Sequence, residues 1–259
     1  MSTVDLKLAQ ACKDFCHYVE VIVEPAMDSL LASMQRGPLR LHQVFGANLF
    51  MAHAVDYIRA IRLADGIGQN RGNLVRDFDE IYSVGGARIG RKFELIDAIN
   101  NSLKHISLDP DRYDELLKRY GQMTFRSLVE EDGLVLCILQ GYRFDYARVV
   151  LRPAYQALSG IDYDSIDDVL NFARGDYVLE DWTTVDELMS SSDPVDAIDQ
   201  MIAHCNPACE DCGEGEADCH CAEFKYDGIE GHFVSSFNAN FDFNTVMSRV
   251  SGAFRPDRE

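Results

Sequence analysis

The chain has 259 residues, of which 47% are hydrophobic, and its formal net charge is −19. This length and composition exclude a disordered chain and favour one large or two modest folded domains. No apolar run approaches the roughly 20 residues that cross a bilayer, and the N-terminal residues have no apolar signal-peptide segment. We therefore expect an intracellular, cytoplasmic protein that makes no membrane contact.

The charge is unevenly distributed along the chain. Residues 1–150 contain 18 Lys and Arg and 20 Asp and Glu, for a net charge of −2. Residues 151–259 contain 6 Lys and Arg and 23 Asp and Glu, for a net charge of −17. Such an acidic surface repels nucleic acid at low salt. It is either a solvated surface that maintains solubility or a face that binds a basic protein partner or mimics nucleic acid.

Hydrophobic periodicity predicts that the first part of the chain is mainly helical. Apolar residues three or four apart predict a helix over 3–33, in which Pro25 introduces a kink or a restart. Gly37 and Pro38 break the chain. Residues 39–64 are apolar around most of the helix circumference, which predicts the central and most buried helix.

The middle of the chain combines a glycine-rich connection with further short elements. Residues 66–90 predict a long connection with a short helix at 73–82. Helices are predicted over 91–106 and 110–120. The apolar run at 133–141 fits either a strand or a buried helical turn, because periodicity does not separate the two in so short a segment.

The last hundred or so residues combine acidic helices with a strand signal. Residues 143–158 predict a helix, and residues 160–203 predict short acidic helices. Aromatic residues alternate with polar ones in 231–244, which predicts a strand. The change in charge places a domain boundary near 158–165.

A cluster of metal-ligand residues lies in the acidic part, where five of the eight cysteines fall within residues 205–221. In a cytosolic chain, such crowding favours a metal over disulfides. Zinc takes four tetrahedral N or S ligands, usually two from each of two short segments. The spacing leaves the choice of four ligands open, and the candidates are His204, Cys205, Cys209, Cys212, Cys219, His220 and Cys221.

Two alternatives to a structural zinc site remain for this cluster. One is a set of thiols or a reducible disulfide, and the other is an iron–sulfur cluster. Cys205-x3-Cys209-x2-Cys212 resembles the cluster-binding triplet of radical S-adenosylmethionine enzymes. That triplet normally precedes most of a barrel, whereas only 47 residues follow Cys212. We therefore reject that family but keep iron as an alternative to zinc.

These patterns predict a mainly α fold: a helical bundle with a small, zinc-stabilised α+β C-terminal part. The predicted domains are a helical domain at 1–158 and an acidic C-terminal region at 159–259 with the Cys/His cluster. A closed zinc site would stabilise a region with few apolar residues without itself supplying activity.

The segment DAINNSLKHISLD, residues 97–109, resembles the motif of the HEPN superfamily of helical bundles, over about residues 1–120. In that motif an Arg and a following polar residue precede a His by a few positions, and here Asn100 stands in place of the Arg. The resemblance implies a ribonuclease of a bacterial or phage defence system that binds RNA through residues 71–105. His105 would be its general acid or base, with Lys104 beside the phosphate. Asn100 cannot supply the charge of the missing Arg.

The same residues have a simpler interpretation. His105 would lie in the last turn of the helix over 91–106, where a cation interacts favourably with the helix dipole. The loop before this helix carries Arg88, Arg91 and Lys92, which are candidates for phosphate or RNA binding at a helix N-terminus. The alternative is a flexible connection.

Polar residues on the apolar helix over 39–64 need partners. Asn48, His53 and Asp56 either pair with one another and with the helix over 91–106, or frame a polar cleft with His105.

No intact catalytic triad, zinc-protease helix or dinucleotide fingerprint is present. The leading hypothesis is a zinc-binding helical protein that acts through protein–protein interaction or complex assembly. The alternative is the HEPN-like ribonuclease or RNA-binding protein, and whether the protein is an enzyme stays open.

Overall fold

The computed structural model describes residues 3–82, 89–105 and 108–177 as continuous segments. Further along, it describes short stretches at 208–209, 211–212, 214–219, 225–226, 229–230 and 235–236.

The described residues form a mainly α-helical protein, which confirms the predicted fold class. None of the described helices has the length and apolarity needed to cross a membrane. The α-helices are α1 (Thr3–Tyr18), α2 (Glu24–Arg36), α3 (Leu41–Ala64), α4 (Arg71–Ile81), α5 (Lys92–Ser102), α6 (Asp114–Tyr120), α7 (Arg152–Ser159) and α8 (Ile166–Arg174). The strands are β1 (Leu128–Glu131), β2 (Leu134–Leu139), β3 (Tyr142–Asp145), β4 (Ala208–Cys209), β5 (Lys225–Tyr226), β6 (Ile229–Glu230) and β7 (Ser235–Ser236).

The first two helices are joined without a break in direction. A π-helical turn over Val19–Val23 connects α1 to α2, and Pro25 occupies the first turn of α2. Proline has no N–H for the i→i−4 bond, and a wider turn is one way to accommodate that loss. The predicted restart at Pro25 therefore takes the form of a π turn.

Helix α3 is the centre of the bundle, as its apolar circumference predicted. It packs against α1, α2, α4, α5 and α8. Asn48 is fully buried on α3, and its amide nitrogen donates to the Ile96 carbonyl at 3.1 Å. Its amide oxygen accepts a 2.6 Å hydrogen bond from the Tyr146 hydroxyl. The expectation that this buried polar group finds partners is confirmed.

Helix α5, which carries the HEPN-like motif, is shorter than predicted. It begins after Arg91, which adopts a left-handed conformation at φ 62°. The Asp79 carboxylate of α4 accepts the backbone N–H groups of Phe93 and Glu94, each at 2.8 Å, and so caps the helix from a neighbouring element. Helix α5 ends at Ser102 instead of residue 106.

The next helix is also shorter than predicted. Helix α6 begins at Asp114 instead of residue 110, and residues 109–112 form a turn before it. The Asp109 carboxylate accepts the N–H of Asp111 at 3.0 Å, which stabilises this turn locally.

A three-stranded antiparallel sheet, β1-β2-β3, lies within the first 150 residues. The strand alternative for 133–141 is therefore confirmed by β2, whereas the helix predicted over 143–158 is wrong in its first residues, which form β3. The β1–β2 turn consists of Asp132 (φ 50°) and Gly133 (φ 81°), an Asp-Gly hairpin signal.

Helix α8 follows the boundary predicted at 158–165 and packs on α1 and α3. Its Phe172 ring stacks on Tyr82 with centroids 4.6 Å apart, and the Tyr82 hydroxyl donates to the Phe172 carbonyl at 2.8 Å. Ser165 caps the N-terminus of α8 by accepting the N–H of Asp168 at 3.2 Å. The acidic helix predicted here is confirmed, while the one predicted to start at Ser192 lies outside the described residues.

Candidate functional site: a thiol cluster and a polar cleft

Three cysteines of the predicted metal cluster lie close together. The sulfurs of Cys209, Cys212 and Cys219 all lie within 4.8 Å of one another, and those of Cys212 and Cys219 are 3.7 Å apart. Cys209 and Cys212 are buried and Cys219 is half-buried. Tetrahedral zinc with Zn–S bonds of about 2.3 Å places its sulfurs about 3.8 Å apart. The three cysteines can therefore hold a metal ion.

Local backbone hydrogen bonds bring these thiols together. The Cys209 N–H donates to the Glu214 carbonyl at 2.7 Å, and Ala208 forms an isolated bridge with Gly215. Strand β4, which carries Cys209, also pairs with β7 in antiparallel register. The chain therefore turns back on itself between Cys209 and Glu214, and Cys212 lies in that turn.

The thiol cluster is attached to the helical part by both apolar and ionic contacts. Cys209 and Cys212 belong to the same cluster of buried residues as the helices. The Arg152 guanidinium of α7 forms a salt bridge with the Glu214 carboxylate, and both side chains are half-buried. The turn that carries the thiol cluster is therefore in contact with the helical core.

The other four predicted ligands, His204, Cys205, His220 and Cys221, lie outside the described residues. Of the seven candidates, the structure thus assembles the three that it describes.

A second group of polar residues surrounds Asp97, which is fully buried on α5. One carboxylate oxygen accepts a 2.7 Å bond from Arg71 Nε. The other accepts from Arg112 Nη2 and from the Tyr113 hydroxyl, each at 2.6 Å. Three donors from two parts of the chain thus bind one buried carboxylate, and the two arginines among them offset its charge, as a buried charge requires.

The Asp97 network extends to α3 and along α5. Arg71 also forms a salt bridge with Asp56 and donates to the Ala52 carbonyl at 2.6 Å. The Asn101 amide donates to the Tyr113 hydroxyl at 2.5 Å. Burial, followed by the adjacent Asp97 carboxylate, raises the pKa of Tyr113, so this hydroxyl stays protonated and donates.

Two cavities adjoin this network, and each has a volume of about 360 Å³. They share Asp109 and Arg112. The α5 cavity is lined by Asn101, His105, Leu108, Asp109, Pro110, Arg112 and Tyr113. The α4 cavity is lined by Asn70, Arg71, Gly72, Asn73, Arg76, Asp109, Asp111 and Arg112.

The residues of the HEPN-like motif occupy different positions. Exposed His105 lines the α5 cavity together with Asn101. Asn100 is buried with 3% exposure, lines neither cavity, and its amide oxygen has no hydrogen-bond partner among the described residues. Lys104 is exposed and lines neither cavity. The structure therefore brings His105 together with Asn101 but not with Asn100.

Of the three candidates for anion binding, the two that the structure describes line neither cavity. Arg91 forms a salt bridge with Glu94 at 2.9 Å, and Lys92 has only 1% exposure. Arg88 lies outside the described residues. The arginines that do line the cavities are Arg71, Arg76 and Arg112.

The polar residues of α3 lie beside the network. Asp56 is joined to it through Arg71. Burial lowers the pKa of half-buried His53, and the positive charges of Lys104 and Arg71 lower it further. Neither His53 nor Asp56 lines the two cavities, so they do not share the α5 cavity with His105.

Sequence reasoning did not identify Asp97, Arg112 and Tyr113. One signal was present: Asp97 is a charged residue between the apolar Ile96 and Ala98, and such a charge needs buried partners. Nothing in the local sequence indicated which residues those would be.

Comparisons with known proteins add no relative. No protein-family model matches the chain, and neither the curated proteins nor the solved structures include a significant match.

Proposed function

We propose that this protein binds zinc through its cysteine cluster and acts by docking its acidic C-terminal region on a basic protein partner. The observation that carries this proposal is the approach of Cys209, Cys212 and Cys219 to within 4.8 Å. The proposal includes a reducing, cytoplasmic environment, since thiol clusters of this kind bind metal where disulfides are rare.

Zinc fits the donor set better than the hard cations do. Thiolates are soft ligands that favour zinc or iron–sulfur clusters over magnesium or calcium. A fourth ligand would come from His204, Cys205, His220 or Cys221, which would close the site. A closed site stabilises structure and leaves no position for a catalytic water. Its dication also offsets the repulsion among the thiolates and their acidic neighbours.

The acidic character of the C-terminal region supports the second half of the proposal. Residues 151–259 carry a net charge of −17, and a partner with a basic surface would be attracted to them over about one Debye length. A zinc-stabilised fold would hold these charges in a fixed arrangement.

The first experiment is metal analysis of protein purified without oxygen or added metal. We expect about one zinc per chain, and we expect Cys212→Ser to reduce zinc content. Cys16→Ser, on the helical part, is the matched control and should leave zinc unchanged. If the analysis finds iron with an equal amount of sulfide, the cysteines bind an iron–sulfur cluster and the zinc proposal is wrong. If it finds no metal, the proposal is also contradicted.

Partner docking needs its own test. The zinc-loaded protein, mixed with basic proteins from the same cells, should elute with one of them in gel filtration at low salt. High salt should separate the complex, because screening weakens exposed charge pairs. A protein that always elutes alone would contradict docking while leaving the zinc site intact.

A second candidate function is that of a HEPN-like ribonuclease or RNA-binding protein. It is favoured by the position of His105 in a cavity that also contains Arg112, a guanidinium group that Asn100 could not provide. Incubation with total RNA tests it: His105→Ala should abolish cleavage, and His42→Ala, an exposed histidine on α3, should not. Equal cleavage by all three proteins, or none, would reject the ribonuclease.

A further inference from the structure

The two cavities beside Asp97 share Arg112 and Asp109 in their linings, and both lie between the start of α4 and the end of α5; we refer to them together as the cleft. Each part has a volume of about 360 Å³, which is within the range of small-molecule sites. The α4 end is lined mainly by charged side chains and the α5 end largely by apolar and aromatic ones, and this difference indicates the class of ligand.

The α4 end of the cleft is rich in guanidinium groups. Arg71 uses Nε and both terminal nitrogens on Asp97, Asp56 and a backbone carbonyl, so its role is structural. Arg112 bonds Asp97 through Nη2, and its buried Nε has no hydrogen-bond partner among the described residues, which leaves Nη1 as the donor for a ligand. Arg76 is bonded only through Nη2, to the Asn73 side chain. Arg76 and Arg112 therefore retain donors for an anionic group.

Gly72 keeps the space between these arginines open. A Cβ atom at this position would lie 3.4 Å from Arg112 Cγ and 3.5 Å from the Asn70 side-chain oxygen. A longer side chain would extend into the α4 cavity, which Gly72 lines. The glycine thus leaves room beside Arg112 for a ligand group.

The α5 end of the cleft offers apolar surface and one carboxylate, that of Asp109, which lines both ends, whereas Asp111 lines only the α4 end. Leu108, Pro110 and the Tyr113 ring line it together with His105. The carboxylates of Asp109 and Asp111 line the cleft beside the arginines. These carboxylates would repel a bare anion, but they accept hydrogen bonds from hydroxyl and amino groups. A ligand with one anionic end and several neutral donors therefore matches the cleft better than an inorganic anion.

The arginine and the aromatic ring are held in place before any ligand binds. Buried Asp97 bonds both Arg112 and the Tyr113 hydroxyl, and the Arg112 guanidinium lies 5.1 Å from the Tyr113 ring centroid. Fixed donors lower the ordering cost of binding.

We propose that this cleft binds a nucleoside monophosphate, with the phosphate between Arg76 and Arg112 and the nucleoside beside Tyr113. The carboxylates of Asp109 and Asp111 accept hydrogen bonds from the sugar or base. This inference is independent of the zinc site. The proposed ligand site overlaps the cavity of the second candidate function, but monophosphate binding does not require that the protein cleaves RNA.

The test is calorimetric titration of the full chain with four nucleoside 5′-monophosphates, with inorganic phosphate and with a short single-stranded RNA. We expect at least one monophosphate to bind more tightly than inorganic phosphate. Arg112→Gln should weaken that binding about tenfold or more, because a charge-assisted hydrogen bond is lost. Arg126→Gln is the matched control, since Arg126 stacks on Phe125 and lines neither cavity.

Arg112 also stabilises the fold through Asp97, so a second variant separates binding from folding. Gly72→Leu removes no charge pair and places a side chain in the α4 cavity. It should abolish monophosphate binding with thermal unfolding close to that of the wild type.

The possible outcomes separate the proposals. Monophosphate binding without RNA cleavage would support the cleft and reject the ribonuclease. No monophosphate binding, binding of RNA alone, equal affinity for inorganic phosphate, or unchanged binding by Gly72→Leu would each overturn the inference. None of these results depends on zinc content.

Discussion

The helical part and the cysteine-rich region are stabilised by different interactions. The helical part, up to residue 177, surrounds the apolar helix α3 and neutralises its buried charges internally, as at Asp97. The cysteine-rich region, described between residues 208 and 236, has strands of only two residues and brings three thiols together. The first region has a buried apolar core, whereas the proposed zinc site would stabilise the second.

The difference has a consequence for pH. Metal binding requires deprotonated thiols, so acid favours release of metal from the cysteine-rich region. In the helical part, burial raises the pKa of Asp79 to about 7, although the N–H groups of Phe93 and Glu94 oppose this shift. Acid is therefore expected to destabilise the zinc-loaded cysteine-rich region, whereas in the helical part it removes the destabilising negative charge of Asp79.

Removal of the metal should give the largest effect, because structural zinc contributes on the order of 10 kcal/mol in small zinc-dependent folds. A chelator should abolish hydrogen-exchange protection in residues 208–236 and leave α3 protected. Exchange measured by mass spectrometry checks this, and adding zinc back should restore protection. Equal loss of protection in both regions would show that they unfold as one unit.

Asp97→Ala should give the largest effect within the helical part. It leaves Arg71 and Arg112 without their shared carboxylate, and removing one partner of a buried ion pair costs about 3–5 kcal/mol. Urea unfolding of the metal-loaded protein measures the loss. Asp114→Ala removes an exposed partner of Lys118 and should leave the midpoint of urea unfolding nearly unchanged. Similar values for both variants would contradict a structural role for Asp97.

Asp79 should make the stability of the helical part depend on pH. Its pKa is about 7 in the folded protein and near 3.8 in the unfolded chain, so the folded state binds this proton more tightly. Stability from this group therefore rises as pH falls from about 8 to about 5, by about 2–3 kcal/mol, because each pH unit below the folded pKa adds about 1.4 kcal/mol. Asp79→Asn should flatten that dependence in urea unfolding, whereas Asp114→Asn should not. Parallel curves for Asp79→Asn and the wild type would contradict the assignment.

Arg152→Ala should give the smallest effect and tests the link between the two regions. Its salt bridge with Glu214 is half-buried, so its loss should cost about 0.5–1 kcal/mol. We expect faster hydrogen exchange in residues 208–219 and unchanged exchange in α3. Arg143→Ala, which removes a salt bridge with Glu131 inside the sheet, is the control. Faster exchange in both variants would show that the effect is not specific to the link.

The sequence by itself determined the features that depend on local patterns. The apolar circumference of residues 39–64 identified the central helix, because burial follows helical periodicity. The spacing of Cys209, Cys212 and Cys219 identified the thiol cluster, since ligands a few residues apart approach one another through local turns. The Asp132-Gly133 hairpin is also a local signal, but the sequence analysis did not use it and left residues 133–141 open between a strand and a helical turn.

Only the tertiary structure decided which distant polar groups meet. Asp97 lies 26 residues after Arg71 and 15 before Arg112, and no local period relates them. Packing of α4 and of the turn over 109–112 against α5 brings their side chains to one carboxylate. Packing also buries Asn100 and leaves Asn101 at the cavity, although the two are adjacent in sequence. The face that a helix residue presents to its neighbours depends on how helices pack, and local sequence does not encode that packing.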